Sequence, residues 1–439
     1  VRHYVVVGSG IAGLSAAEVL RERDSGATIS LIYEESHSFY SRPGLAYLLT
    51  GLVPEEQLFA RTQAELRDLR LNWIHARAAQ LLPEAHQVTL SDGQGLTYDR
   101  LLIATGSTAV PPDFPGGDLA GVVKFDNLDD ARRILKLAGR GRTAVVIGGG
   151  ITALELVEGL RARGVRTHYF LRGDRYWANV LDEAESHIVQ ERLKAEGVVI
   201  HYRTEIEAAL GRKTLAGVET TTGEKLPCHI LGVAIGVRPR LELAQPAGLK
   251  LDRGVLVDEF LRTSAPDVFA AGDVAQVRDP RSGRAILDTL WPTALAQGRA
   301  AGANMAGAEV PYVKQVALNV TQLAGLMTTI IGAVGSGRDQ DLVTISRGNS
   351  EAWSLLPQAQ VIVEKHDVNR VRLLVGERTL VGAVVMGDQT LSRPLHRLIA
   401  EQADITPIRA ALGANPASAL SLISDFYQNW ERDHDTPAH

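Results

Sequence analysis

The sequence holds one cysteine, Cys228, among 439 residues. A single thiol excludes an internal disulfide, a CxxC redox pair and an iron–sulfur cluster ligated by cysteines of this chain. Cys228 stands in the apolar stretch 226–232, where a small buried side chain is expected. The 12 histidines are scattered, with no HxxxH or His/Asp/Glu grouping, so no metal is expected. Apolar runs are short. None approaches the ~20 residues that cross a bilayer, which argues against membrane insertion. The net charge of −5 gives no reason to expect nucleic acid or an anionic membrane as partner. No signal peptide is expected, because Val5-Val6-Val7 leads directly into a glycine motif, and a cytoplasmic location follows as an expectation.

What the chain does have is glycine, at 42 residues, and length enough for two or three domains. Tyr4-Val5-Val6-Val7 reads as a strand, Gly8-Ser9-Gly10-Ile11-Ala12-Gly13 as a turn opening a helix, and residues 29–33 as a second strand ending in Glu34-Glu35. This order, with an acid about twenty residues past the glycines, is the dinucleotide fingerprint. Gly8 permits the tight turn, Gly10 lets the backbone approach a pyrophosphate, and Gly13 lets helix and strand pack closely. The helix N-terminus favours phosphate charge, and Glu34 can accept hydrogen bonds from a ribose diol.

The same design returns 140 residues later, from Gly8 to Gly148. Residues 143–147 form a strand, Gly148-Gly149-Gly150-Ile151-Thr152-Ala153 the turn, with alanine at the third position, and residues 154–163 the helix. Between the copies, residues 88–90, an Asp92-Gly93 turn and a return through 101–103 end in Ala104-Thr105-Gly106. Residues 218–222, a Gly223 turn and 230–234, ending in Ile235-Gly236, repeat that pattern. Two dinucleotide domains are therefore expected.

These motifs resemble the FAD- and NAD(P)-dependent pyridine nucleotide-disulfide oxidoreductase superfamily. The likeness is nearest to the branch of rubredoxin and ferredoxin reductases and the flavin part of nitrite reductase. The resemblance implies an α/β fold of two Rossmann-like domains, the second inserted in the first, plus a C-terminal α+β interface domain. FAD would occupy residues 1–109 and 236–310, the nicotinamide dinucleotide 110–235, and 311–439 would form the interface, often a homodimer. It implies that the first glycine motif and Glu34 bind FAD, with Ala104, Thr105, Gly106 and Gly236 beside the nucleotides. Ala270-Ala271-Gly272-Asp273 would place an aspartate on the ribityl chain. Tyr40-Ser41-Arg42-Pro43-Gly44-Leu45 matches a stretch whose Arg and Pro lie against the flavin ring. Leu290-Trp291-Pro292-Thr293-Ala294 would open a helix toward the flavin, its positive end near N1 and O2. Trp291 reads equally as a core aromatic.

Two departures stand out. Glu155 matches an acid near the nicotinamide that relatives pair with lysine; Tyr47 stands at the lysine position. Without that partner Glu155 is expected to have a raised pKa or to accept a hydrogen bond from Tyr47. After His168-Tyr169-Phe170, no acid stands where NADH-preferring sites carry one. Arg172 and Arg175 would suit a 2′-phosphate, which leans the choice to NADPH; the alternative is a solvated edge.

Toward the C-terminus, strands at 360–364, 370–375 and 380–386 precede helices at 394–402, from Thr406-Pro407, and along Leu420, Ile423, Phe426, Tyr427 and Trp430. The ligands of a full nitrite reductase are absent. The expected activity is hydride transfer from NAD(P)H to FAD, then electron delivery to a small iron–sulfur protein such as rubredoxin or ferredoxin. Alternatives are an NAD(P)H oxidase or quinone reductase and, from another class, a redox-sensing interaction module.

Overall fold

Both glycine motifs open helices on parallel sheets of the same strand order in the computed structural model, which describes residues 1–279, 283–334, 369–414 and 419–434. The first sheet runs Val268–Ala270, Arg100–Ile103, His3–Val7, Thr28–Tyr33, Asn72–His75. The second runs Val122–Lys124, Ile230–Val233, Thr143–Ile147, Arg166–Leu171, Val199–Tyr202. In each, the glycine-motif strand is central and pairs in parallel on both sides. The edge strand beyond the return strand differs in origin. In the first sheet it arrives after the insertion; in the second it precedes the glycine strand.

The strands are apolar along their length because both faces are covered. Tyr4, Val6, Leu102 and Phe269 belong to one core, while Val5, Val7, Leu101 and Val268 belong to the core on the opposite face. Helix Ile11–Arg23 lies against helix Trp291–Met305 at close range. A Cβ on Gly298 would stand 2.2 Å from the Ala12 carbonyl oxygen, and one on Gly302 2.5 Å from that of Ala16. Small residues one turn apart on both helices thus set the separation of the two backbones.

Each copy also carries a three-stranded antiparallel meander, Ala78–Leu82, Gln87–Leu90, Gly95–Thr97 in the first and Ile206–Gly211, Leu215–Thr220, Lys225–Pro227 in the second. The hairpin partners after the Asp92-Gly93 and Gly223 turns are the short strands Gly95–Thr97 and Lys225–Pro227. The expected returns at 101–103 and 230–234 instead enter the parallel sheets. The true partners are three residues long and too polar to register as apolar runs.

The chain crosses between the two sheets through Ser107–Ala109 and Val237–Pro239, which pair antiparallel. Asp126, 3% exposed, accepts from Thr108 Oγ1 (3.1 Å) and Ala109 N–H (3.2 Å) and fixes that crossing.

The described residues form two compact units, Val1–Asp174 with Lys194–Lys314, and Arg175–Leu193 with the residues after 314. The second has a four-stranded antiparallel sheet, ordered Leu318–Leu323, Leu326–Gly332, Leu380–Met386, Arg370–Val375. Its first hairpin turns on Ala324 (φ +49°) and Gly325 (φ +71°), the two positive values that a tight hairpin turn requires. The expected strand at 360–364 lies outside the described residues. Helices Ser392–Ala400, Thr406–Ala414 and Ala419–His434 follow, with Ile423 and Tyr427 buried in this unit's core. Segment Arg175–Leu193 is held there by Arg370 to Asp182 (2.7 Å) and Arg372 to the fully buried Glu185 (2.9 Å). Among the described residues no helix is long and apolar enough to cross a membrane.

Candidate functional site

The first glycine turn separates two kinds of glycine. Gly8 has φ +116° and a Cβ there would stand 2.2 Å from the Ala104 carbonyl oxygen. One on Gly13 would stand 1.9 Å from the Gly8 carbonyl oxygen, so both positions are closed by backbone. Gly10 is different: its backbone is extended and nothing lies within 4 Å of the position a Cβ would take. Gly10 begins helix Ile11–Arg23, whose first turn has no side-chain cap and no acidic residue. Its leading N–H groups therefore face open space with positive partial charge, which suits a phosphate.

Around this turn the structure gathers most of the expected residues. Gly106 (φ +69°) also has open space at its Cβ position. Thr105 Oγ1 donates to the Arg240 carbonyl (3.1 Å), and Arg240 N–H to that of Gly106 (2.9 Å). Glu34, at the end of strand Thr28–Tyr33, keeps an exposed carboxylate 3.7 Å from Arg240 Nη1. Ala12 is buried, and a Cβ on Gly272 would stand 3.0 Å from the Ala12 Cβ. Asp273 is half-buried and accepts from Ser107 Oγ at 2.6 Å. Trp291, Pro292 and Thr293 form the first turn of helix Trp291–Met305, with proline where its missing N–H costs nothing. Trp291 is half-buried and packs on Phe39, ring centroids 5.8 Å apart. Arg42 and Pro43 lie in a short helical turn, Arg42–Gly44. The Arg42 guanidinium pairs with Glu35 and donates to the Asp126 carbonyl (2.9 Å), while the Tyr40 hydroxyl donates to Glu35 (2.8 Å). Burial pushes the Tyr40 hydroxyl's pKa up, so it is a neutral donor at physiological pH.

The second turn repeats the first. Gly148 has φ +141° and a Cβ there would stand 2.1 Å from the Ala234 carbonyl oxygen, whereas Gly149 has open space. Gly150 starts helix Ile151–Ala162, again with no side-chain cap and no acid in the first turn. Ala153 is fully buried, and Gly236 has φ +119° with space at its Cβ position. Glu155 is half-buried on this helix, which packs on helix Leu45–Thr50 bearing Tyr47. Close approach is permitted by Gly159, whose Cβ would stand 2.6 Å from that of Leu49. Arg163 locks the pair by donating to the Leu48 and Leu49 carbonyls at 2.9 and 2.8 Å.

Arg172 is exposed at the end of strand Arg166–Leu171, while Arg175 belongs to the other compact unit, where it donates to the Ala178 carbonyl (3.4 Å). Cys228 is 2% exposed in a core with Val145, Phe170 and Leu231. Burial pushes its thiol up to about 12, which leaves it an inert core residue.

Several residues of the first site carried no readable signal. Gln297, fully buried, accepts from the Gly272 N–H (2.8 Å) and so holds the loop of Asp273 to the Trp291 helix. Ser107 and Arg240 flank the crossing between sheets, and Asp288 and Lys314 form a buried ion pair beside the same helix. Each partner lies more than a hundred residues away or in an irregular segment, beyond any local spacing rule; only the Gly298/Gly302 spacing was there to be read.

The sequence and the fold are similar to those of known proteins. Residues 2–298 match the family described as pyridine nucleotide-disulphide oxidoreductase. The chain is 32% identical over 335 residues to the ferredoxin–NAD(+) reductase component of the biphenyl dioxygenase system of Paraburkholderia xenovorans, covering 76% of this chain and 81% of that one. It is 26% identical over 398 residues to an NADH oxidase of Methanocaldococcus jannaschii, covering 88% of each. A solved covalent complex of putidaredoxin reductase and putidaredoxin shares the fold, with a TM-score of 0.81 over 97% of this chain and 99% of that one, at 22% identity. The chain belongs to the pyridine nucleotide-disulphide oxidoreductase family and is an oxidoreductase.

Proposed function

We propose that the chain moves hydride from NAD(P)H to FAD and passes the electrons to a small iron–sulfur protein of the ferredoxin or rubredoxin kind. The observation that carries this reading is the state of its one thiol: Cys228 is buried and held protonated in the second domain's core. No cysteine relay exists in the sequence, so electrons leave from the flavin. FAD supplies the step that turns a hydride into single electrons. The first turn, Glu34 and Asp273 bind it; Arg42, Pro43 and the Trp291 helix end lie toward its ring. The second turn, Ala153 and Gly236 bind the nicotinamide dinucleotide, with Glu155 and Tyr47 positioning its reactive end. The domains then divide as 1–109 with 236–310 for FAD and 110–235 for NAD(P)H. Residues 311–439 form an interface, as a homodimer, in a cytoplasmic protein.

The similar reductase from Paraburkholderia xenovorans, named for ferredoxin, supports this acceptor. The test is anaerobic steady-state turnover with NADH and NADPH against ferredoxin, rubredoxin and a quinone, with oxygen uptake measured separately. Reduction of an iron–sulfur protein at least tenfold faster than the other acceptors is expected. Oxygen uptake as the fastest reaction would favour the oxidase reading, which the likeness to the Methanocaldococcus jannaschii NADH oxidase supports. Slow reoxidation by every acceptor, with a change in association on adding NAD(P)H, would favour a redox sensor.

A second expectation concerns the thiol directly. Cys228→Ser places a hydroxyl in an apolar core and is expected to lower the unfolding midpoint by a few degrees. Anaerobic flavin reduction by NAD(P)H should stay within threefold of the parent protein. A rate loss of a hundredfold in a folded, yellow variant would return Cys228 to the mechanism.

A further inference from the structure

We propose that the buried pair Asp288–Lys314 is a positioning element for charge that sets the reduction potential of the bound flavin; this rests on the FAD reading above. The two side chains are 1% and 10% exposed, with Lys314 Nζ 3.7 Å from Asp288 Oδ2. A buried ion pair is a poor source of stability, since desolvating both charges offsets most of their attraction. Its position gives it another use.

Asp288 sits three residues before helix Trp291–Met305 and accepts from the Leu290 N–H at 3.3 Å and from the Thr293 side chain. Asp273, the proposed ribityl ligand, is close enough to repel it. A second path joins the two: Gln297 accepts from Gly272 N–H and stands beside Tyr312, whose hydroxyl feels the Asp288 charge. Asp288 therefore places a negative charge where the helix would otherwise present its positive end to the flavin, and Lys314 opposes it. In a site that excludes water, an unopposed charge of either sign acts on the flavin with little screening.

The consequence is a pair of shifts of opposite sign. Asp288→Asn removes the negative charge that offsets Lys314 and the helix end; negative charge on reduced flavin is stabilised and the potential rises. Burial raises the Asp288 pKa, so in Lys314→Met the potential falls at a pH where the Asp288 carboxyl stays ionised and returns toward the parent value where it takes a proton. Each should change the reduction equilibrium about tenfold, or about 30 mV for a two-electron couple. Asp288→Asn/Lys314→Met should return most of the way to the parent value.

The measurement is anaerobic spectroelectrochemical titration of the FAD-loaded proteins, with thermal unfolding as the check on folding. Opposite shifts with partial recovery in the double variant support the proposal. Shifts of the same sign, as general loosening around the flavin would give, overturn it. So do single variants within twofold of the parent equilibrium, or a folded Asp288→Asn protein that has lost its FAD. If Asp288→Asn does not fold, Lys314→Met and Lys314→Gln carry the test, and both must lower the potential at a pH where the Asp288 carboxyl stays ionised. A colourless parent protein that cannot be reconstituted would overturn the FAD reading instead.

Discussion

Gly10→Val is expected to yield a folded protein that purifies without flavin, whereas Gly13→Val is expected to fail at folding. Both residues belong to one motif, in which Gly10 is expected to admit a pyrophosphate and Gly13 to let helix and strand pack closely. The backbone at Gly10 has φ −69° and ψ −179°, a conformation open to any residue, and nothing occupies the Cβ position. The Cβ of a valine there meets no protein atom, and the side chain fills the space through which a pyrophosphate would reach the helix N-terminus. Loss of those contacts should weaken FAD by at least a hundredfold, about 2.7 kcal/mol. At Gly13 the added Cβ stands 1.9 Å from a backbone oxygen and 3.2 Å from Val6 Cγ1, within the core of the first sheet. Neither neighbour can withdraw without moving the glycine turn off the sheet. The cost exceeds the 1–3 kcal/mol of ordinary overpacking, a large part of a domain's net stability. Circular dichroism, thermal unfolding and flavin absorbance of the two purified variants make the comparison. Yellow Gly10→Val protein with parent-like FAD affinity would mean that the first turn is not the FAD site.

The contrast shows where sequence reading is strong. Periodicity of Tyr4-Val5-Val6-Val7, the glycine spacing and the recurrence at Gly148 depend on local backbone geometry, which the sequence states directly. The two repeated strand–turn–helix units were legible for that reason, whereas the inserted arrangement was implied by the resemblance to the oxidoreductase family. The meander strands Gly95–Thr97 and Lys225–Pro227 were not, because they are short edge segments with polar faces. The close packing of Gly298 and Gly302 on Ala12 and Ala16 left a readable spacing, but only the fold reveals its partner. Segment Arg175–Leu193 is the extreme case. Its attachment to the second unit rests on Arg370 and Arg372, about 190 residues away, as the 188- and 187-residue separations of their bonds to Asp182 and Glu185 show. Site residues divide the same way: Gly10, Glu34 and Asp273 sit in motifs, whereas Gln297, Asp288 and Lys314 matter only through what the fold sets beside them.

Arg172→Ala is expected to lower kcat/KM for NADPH by about tenfold and leave that for NADH within twofold. Strand Arg166–Leu171 ends the second βα unit in the position where the adenosine ribose of a bound nucleotide lies. A carboxylate there would bind the ribose diol of NADH and repel a 2′-phosphate; this chain has Arg172 and Gly173 instead. Arg172 is exposed, so it can reach a phosphate without a desolvation cost to itself. Exposure also admits salt, which places the effect at the lower end of the 1.5–3 kcal/mol of a charged hydrogen bond. At about 1.4 kcal/mol per tenfold, that is one order of magnitude. Arg175 is expected to matter less, because its guanidinium already donates to the Ala178 carbonyl. Arg175→Ala should therefore cost NADPH no more than about threefold. Similar proteins are named for NAD(+) and NADH, and a preference for NADPH would set this chain apart from them. Stopped-flow flavin reduction with both nucleotides, at low and high salt, decides it. A phosphate contact predicts an NADPH rate at low nucleotide concentration that falls with salt in the parent protein and less so in Arg172→Ala. Faster reduction by NADH, untouched by Arg172→Ala, would make both arginines solvated surface charges and assign the ribose diol to backbone groups of the second glycine turn.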